Sequence, residues 1–327
     1  MTLVLRHSEI SALLDRSEVF TAVERALADL SAGSAQNPAP PSMNGTDDGR
    51  IIPMVAQSGT AELAVVKVLS DLPGNRARGL PRQRSTMLVT STRTGECVAV
   101  LDGRAITAIR TAAASAVATA HLARADSSVV GVVGAGNLAV EHVRALHGVR
   151  DLESVVVWSR SADTVERFRD NIADLDLKVE HAVSVEHVVR QSHIVCTLTP
   201  SITPILLGEW LNAGTHLNVV GAAPRPNERE VDGNAMARSR VVVDSTATAL
   251  TKSGDALLAI AEGAVDESHF DTELGDVITG RKTGRSTDAE ITLFDSTGIG
   301  LEDLAVAELV IGRARADGVG TEIDLTS

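Results

Sequence analysis

The chain has 327 residues, of which 44% are hydrophobic and 22% charged, and its 30 basic against 43 acidic side chains leave a formal net charge of −13. Those proportions describe an ordinary soluble globular protein with room for two domains. So acidic a chain argues against nucleic acid or an anionic membrane as partner, and no apolar run reaches membrane-spanning length. The first residues lack a charged-then-apolar pattern, so no leader is expected. Aromatic residues make up only 2%, with no tyrosine, so the core must be built from Ala, Val, Leu and Ile. Cys97 and Cys196 lie far apart in strand-like apolar runs, which reads as reduced thiols and a cytoplasmic location. No Cys/His cluster has metal-ligand spacing, so no metal is expected.

In chain order, a strand-like Thr2-Leu3-Val4-Leu5 precedes a helix over 16–30, where Val19, Val23, Ala26, Leu27 and Leu30 recur at helical spacing. A Pro/Gly/Asn-rich stretch at 35–49 reads as a loop. Strand-like runs follow at 50–55, 63–69, 86–90 and 97–101, the last two joined by a turn at Thr94-Gly95. An alanine-dense helix is expected over 106–122. Beyond residue 125 the rhythm changes to strand–helix alternation, with strands at 129–133, 154–158, 178–181, 193–198, 216–220 and 240–244. Helices of crossover length, such as 161–175 and 184–190, lie between them. Near-continuous apolar strands separated by helices indicate a parallel sheet covered on both faces. With those strands placed, the amphipathic helix at 301–316 is expected to return to the N-terminal domain.

One turn in the second half carries chemistry. The β-branched run Val129-Val130-Gly131-Val132-Val133 leads into Gly134-x-Gly136-x-x-Ala139, and a helical pattern follows. The first glycine permits a tight turn, the second a close approach of backbone N–H groups to a pyrophosphate, and the small third residue close helix–strand packing. The phosphates then sit on a helix N-terminus, where the macrodipole favours negative charge. Gly134, Gly136, Asn137, Leu138 and Ala139 are therefore candidate cofactor contacts.

Several motifs in order resemble the family of ornithine cyclodeaminase and mu-crystallin. They are Lys67 on its strand, Gly79-Leu80-Pro81, Arg110-Thr111-Ala112-Ala113-Ala114-Ser115-Ala116 at a helix start, the glycine turn, and Thr197-Leu198-Thr199-Pro200-Ser201-Ile202-Thr203-Pro204. Glu273-Leu274-Gly275, Ile291-Thr292-Leu293-Phe294-Asp295-Ser296-Thr297-Gly298 and Glu302-Asp303 complete the set. The resemblance spans essentially the whole chain. It implies an α/β fold: a Rossmann-type doubly wound parallel sheet (125–300) plus an N-terminal α+β substrate and dimerisation domain (1–124) completed by the C-terminal segment (301–327). It also implies a homodimer, a nicotinamide cofactor, and chemistry on small imino or amino acids.

Alternation alone leaves Lys67, in Ala64-Val65-Val66-Lys67-Val68, either on a solvent face or buried at a functional site. The resemblance makes it a catalytic and substrate residue able to polarise or protonate a C=N group. Arg110 matches the family arginine that grips the substrate carboxylate, which a guanidinium does through paired hydrogen bonds; a structural ion pair is the alternative. Thr111 would lie near the cofactor. After the second nucleotide-domain strand the chain offers Ser159, Arg160 and Ser161 and no acidic residue, which favours the 2′-phosphate of NADP(H) and leaves NAD(H) open. Thr197, Leu198, Thr199 and Ser296 belong to segments expected beside the nicotinamide.

Two departures narrow the chemistry. Ala223 occupies the position where the family's cyclodeaminases carry an aspartate, and an alanine can neither take a proton nor anchor a distal amine. The loop near Pro40-Pro41 lacks the arginine many members use to clamp the carboxylate; Arg82, Arg84 and Arg225 are candidates to replace it or to meet a second carboxylate. The expected function is an NAD(P)H-dependent imino-acid reductase or amino-acid dehydrogenase. The alternatives are an ornithine cyclodeaminase and a non-catalytic, crystallin-like NADPH binder.

Overall fold

The structure is a computed structural model. It describes all residues except Ala223, Thr326 and Ser327, and the side chain of Arg76. In chain order the first elements are β1 (Thr2–Leu5), α1 (His7–Leu13), α2 (Arg16–Ala32), β2 (Ala35–Gln36), β3 (Met43–Asn44), β4 (Arg50–Ser58), β5 (Leu63–Asp71), β6 (Gln83–Ser91), β7 (Cys97–Asp102) and α3 (Gly103–Leu122). Strand–helix alternation then runs β8 (Val129–Val133), α4 (Asn137–His147), β9 (Ser154–Trp158), α5 (Ala162–Asn171), β10 (Lys178–His181), α6 (Val185–Gln191), β11 (Ile194–Thr197) and β12 (His216–Val219). The chain closes with α7 (Gly233–Arg238), β13 (Ser239–Val243), α8 (Thr246–Lys252), α9 (Gly254–Ala261), α10 (Leu274–Ile278), β14 (Ile291–Asp295), α11 (Gly300–Asp317) and β15 (Thr321–Ile323). It divides into two units: Met1–Arg110 with Gly298–Ser327, and Thr111–Thr297. The division falls inside α3, whereas the sequence suggests a junction after that helix.

The first unit holds a mostly antiparallel sheet in the order β15-β1-β7-β6-β5-β4-β2, with β3 on β4. β4, β5 and β6 are long and pair continuously, so that Met54, Lys67 and Met87 stand side by side. Side chains alternate between the faces of a strand. Ile52, Met54, Ala56, Val65, Met87 and Val89 are therefore buried on one face, where α11 packs on β4 and β5 and also meets α2. α2 starts at Asp15, whose carboxylate accepts from the N–H groups of Ser17 and Glu18, and stops at Gly33 in the left-handed region. The other face shows Val55, Val66, Val68 and Leu88 about two-fifths exposed. The C-terminal helix thus completes this α+β unit, while α1, β2, β3 and β15 are elements the apolar pattern does not announce.

The second unit is a seven-stranded, all-parallel sheet in the order β10-β9-β8-β11-β12-β14-β13. Val130, Val132, Val155, Val157, Val195, Leu217 and Leu293 are buried in it. Here the sequence expectation needs correcting. The segment Ile291–Asp295, not among the strands expected from the sequence, is a strand, and it lies between β12 and β13. Arg150 donates to the carbonyls of Thr119, Ala120 and Ala123, satisfying the C-terminal end of α3.

His142 ties the glycine-turn helix α4 to α3. Its Nδ1 lies 2.8 Å from the Leu138 carbonyl and its Nε2 3.0 Å from the Ser115 hydroxyl. The carbonyl only accepts, so Nδ1 carries the proton, and burial opposes a second proton on Nε2 by pushing the pKa from 6.5 down to about 4. The unfolded chain therefore binds a proton that the folded chain refuses between those values, and stability is lost as pH falls through that window. In His142→Gln we expect this loss, about 3 kcal/mol at full extent, to vanish. The stability difference between wild type and variant, measured by thermal unfolding, should shrink from pH 6.5 to pH 4. A constant difference would show that the ring is not buried neutral.

Candidate functional site

In the first unit, β5 carries Lys67 onto the covered face, and the side chain is fully buried. Its Nζ donates to Asp303 Oδ1 at 2.9 Å, Asp303 Oδ2 at 3.0 Å and Thr107 Oγ1 at 2.8 Å. Arg110, 5% exposed, donates from Nε to Asp303 Oδ1 at 3.1 Å and from Nη1 to Glu302 Oε2 at 2.8 Å. Two cations and two carboxylates, all buried, neutralise one another; removing one member of such a set costs about 3–5 kcal/mol because its partner is left charged and dry. The solvent-face alternative for Lys67 is excluded. Arg110 sits inside α3 rather than at its start, and the ion pair considered for it is present. Gly298, at φ +71°, lies against its guanidinium: a Cβ there would stand 2.7 Å from Nη1 and 3.0 Å from Nη2.

The other candidate cations take different places. Arg82 is held by buried Asp71 through Nε at 2.7 Å and Nη2 at 3.0 Å. Arg84 opposes Ser70 on β6, while Lys67 opposes Met87. Strand alternation therefore puts exposed Arg84 on the opposite face of the sheet from Lys67, and the structure does not bring the two together. In the second unit Arg225 is 8% exposed, with Nε 3.5 Å from Glu228 Oε1. Ala223 lies outside the described residues.

Also in the second unit, Gly134 ends β8 at φ +101° and donates its N–H to the Trp158 carbonyl at 2.9 Å. A Cβ on it would lie 2.8 Å from the Leu198 carbonyl oxygen. Gly136 is the N-cap of α4 without a side-chain cap, and a Cβ there would meet nothing within 4 Å. A crowded first glycine and an open second one are what a pyrophosphate-binding turn requires. Asn137, Leu138 and Ala139 form the first turn of the following helix. Ser159 and exposed Arg160 follow β9, and Ser161 stands at the N-cap position of α5 without a side-chain capping bond. Thr111 is 8% exposed and Thr197 fully buried. The Ser296 hydroxyl is buried without a hydrogen-bond partner, an orphan that a bound nicotinamide would satisfy. The crowded Gly134, the open Gly136 and the orphaned Ser296 hydroxyl fit the dinucleotide that the fold implies.

Buried carboxylates hold this edge in shape. Glu230 accepts from the Thr199 N–H at 2.6 Å, the Thr199 hydroxyl at 2.7 Å and the Gly221 N–H at 2.7 Å. Asp255 accepts from the N–H groups of Glu230 and Val231. Asp295 accepts from the Ser253 hydroxyl at 2.7 Å, and burial pushes its carboxyl up to about 7. Burial likewise raises Glu230 and Asp255. Sequence inspection assigned no role to Asp303, Glu302, Thr107 or Glu230. The visible signal was Leu301-Glu302-Asp303-Leu304-Ala305-Val306, two adjacent acids in an otherwise apolar helix start.

The parallel sheet, its glycine turn and the orphaned hydroxyl define a Rossmann-type dinucleotide-binding protein. The chain belongs to the ornithine cyclodeaminase/mu-crystallin family, whose model matches residues 1–318. It is similar to the Thermococcus litoralis Delta(1)-pyrroline-2-carboxylate reductase solved with NADH and L-proline, at 34% identity and a TM-score of 0.94 over 98% of this chain and 100% of that one. An archaeal alanine dehydrogenase dimer with bound NAD gives 32% identity and a TM-score of 0.94 over 99% of both chains. The iminosuccinate reductase of Paracoccus denitrificans is 32% identical over 99% of this chain and 100% of its own length.

Proposed function

We propose that this protein is an NAD(P)H-dependent oxidoreductase acting on the C=N or CH–NH group of small imino or amino acids. The observation that carries the reading is the pairing of two buried cations, Lys67 and Arg110, in a chain whose other unit has a dinucleotide turn. Arg110 orients the substrate carboxylate, and Lys67 supplies a proton or positive charge beside the C=N group. The nicotinamide, when bound, supplies or accepts the hydride. Holding the reacting carbons at contact distance accounts for a large share of the acceleration. The test is spectroscopic: NADPH and NADH oxidation with a panel of cyclic imino acids, and with 2-oxo acids plus ammonia or methylamine. Oxidation with at least one is expected. None, together with ammonia release from ornithine, would replace this reading with the cyclodeaminase.

For the cofactor we favour NADP(H), because Arg160 and two serines stand where an NAD-selective carboxylate would be. Arg160→Ala should weaken NADPH by about tenfold, one charge-assisted contact, and leave NADH nearly unchanged. Equal effects on the two cofactors would reject the phosphate assignment.

The exposed sheet face of the first unit is our candidate homodimer surface. Val55, Val66, Leu88 and Val100 align directly across four strands, and a continuous apolar row in water marks an interface. Val66→Glu should convert a dimer to monomer in light scattering; a surviving dimer would move the interface elsewhere.

A further inference from the structure

Lys67 and Arg110 are brought together by a single atom. Oδ1 of Asp303 accepts both from Lys67 Nζ at 2.9 Å and from Arg110 Nε at 3.1 Å. Its second oxygen also accepts from Lys67, at 3.0 Å. We propose that Asp303 is a positioning residue for the reaction: it sets the spacing of the carboxylate-binding Arg110 and the proton-supplying Lys67, and keeps the Lys67 ammonium protonated. The inference rests on the proposed roles of Lys67 and Arg110 and adds what makes those roles compatible.

The physical case is one of charge and burial. Lys67 is fully buried, and its neighbours on the flanking strands are Met54 and Met87, which carry no charge. From α3 it faces the Thr107 hydroxyl and, across Asp303, the cation Arg110; α11 supplies Asp303 and Glu302. Glu302 is engaged by Arg110. Among the described residues, Asp303 is a carboxylate that accepts directly from Lys67, through both of its oxygens. Removing that charge weakens the hold on the ammonium's proton, because burial and the nearby guanidinium both favour the neutral amine. The Thr107 hydroxyl cannot take over the charge; it accepts from Lys67 while donating to the Gly103 carbonyl at 2.6 Å. Asp303 is itself fully buried and lies on the first turn of α11, where the helix dipole favours a negative charge. It touches the cations rather than the reacting atoms.

The experiment uses the full-length enzyme with cofactor and a cyclic imino acid that it reduces. Asp303→Asn keeps the size and one acceptor but removes the charge. We expect KM for the imino acid to rise at least about tenfold, and the alkaline limb of the kcat/KM profile to move down by about one pH unit or more. Cofactor affinity should stay within about twofold of wild type. A profile of unchanged shape with unchanged KM would overturn the proposal, even if thermal stability fell. Should that variant not fold, Asp303→Glu keeps the charge and lengthens the arm: KM should rise while the alkaline limb stays in place, and a wild-type KM would overturn the spacing role. Lys67→Ala separates the two levels of inference. An inactive Lys67→Ala beside an unaffected Asp303→Asn would remove only the positioning role, whereas a fully active Lys67→Ala would overturn both.

Discussion

Gly298→Ala should lower kcat/KM for an imino-acid substrate by about 100-fold, the usual consequence of displacing a substrate-orienting group by about 1 Å. The backbone at this position has φ +71°, a region that costs an alanine roughly 1–2 kcal/mol. Space is the larger problem. The new Cβ would stand 2.7 Å from Arg110 Nη1, 3.0 Å from Nη2 and 3.3 Å from Cζ. The guanidinium has little freedom to retreat, because its Nε and Nη1 are tied to Asp303 and Glu302 on α11. Moving it breaks hydrogen bonds in a buried, charged cluster. Steady-state kinetics and a cofactor titration check the outcome together: the loss should fall on the substrate side, with cofactor affinity kept within about threefold. Wild-type kinetics would mean that Arg110 does not hold the substrate.

Gly134→Ala should abolish useful cofactor binding, weakening it by more than about 100-fold, and should lower the unfolding temperature as well. Its φ of +101° strains any other residue, at a cost on the order of 1–3 kcal/mol. The atoms a Cβ would meet are backbone: the Leu198 carbonyl oxygen at 2.8 Å and its carbon at 3.1 Å. Backbone cannot rotate away as a side chain would. Either the β8–α4 turn opens or the segment after β11 shifts, and both are candidate cofactor contacts. Gly136→Ala is the informative partner. Its Cβ meets nothing within 4 Å and its φ of −79° suits any residue, so the unfolding temperature should be unchanged. Its methyl group would still occupy the space left for a pyrophosphate, so fluorescence titration should show weaker binding. Wild-type affinity in Gly136→Ala would take the phosphates away from this turn.

Elements whose signal is local were legible in the sequence. β8, β9, β11, β12 and β13 could be read because parallel strands are buried on both faces and appear as apolar runs between helices, whereas β10 is a polar, largely exposed edge strand placed only by the strand–helix rhythm. α2 could be read from its apolar spacing, and the structure extends it to a stop at Gly33. β14, Ile291–Asp295, was quoted only as a motif and not read as a strand, and its place between β12 and β13 was hidden because chain order does not encode lateral order in a sheet. The short strands β2, β3 and β15 carry too few residues for any periodicity and form by pairing with a neighbour that offers free backbone groups: the nine-residue β4 for the first two and β1 for the third.

The sequence by itself determined the two kinds of unit, the glycine turn, the absence of an acidic residue beside Arg160, and the presence of Lys67 and Arg110. All of these are properties of adjacent residues. The tertiary structure alone decided which face of the sheet each cation took. Lys67 went inward and Arg84 outward because the β5–β6 register opposes Met87 to the one and Ser70 to the other. It also decided that Lys67 is neutralised by Asp303, 236 residues away in the chain. A buried ammonium demands an anion, but nothing local says where the chain will supply it; only the return of α11 onto β5 brings that carboxylate within 3 Å.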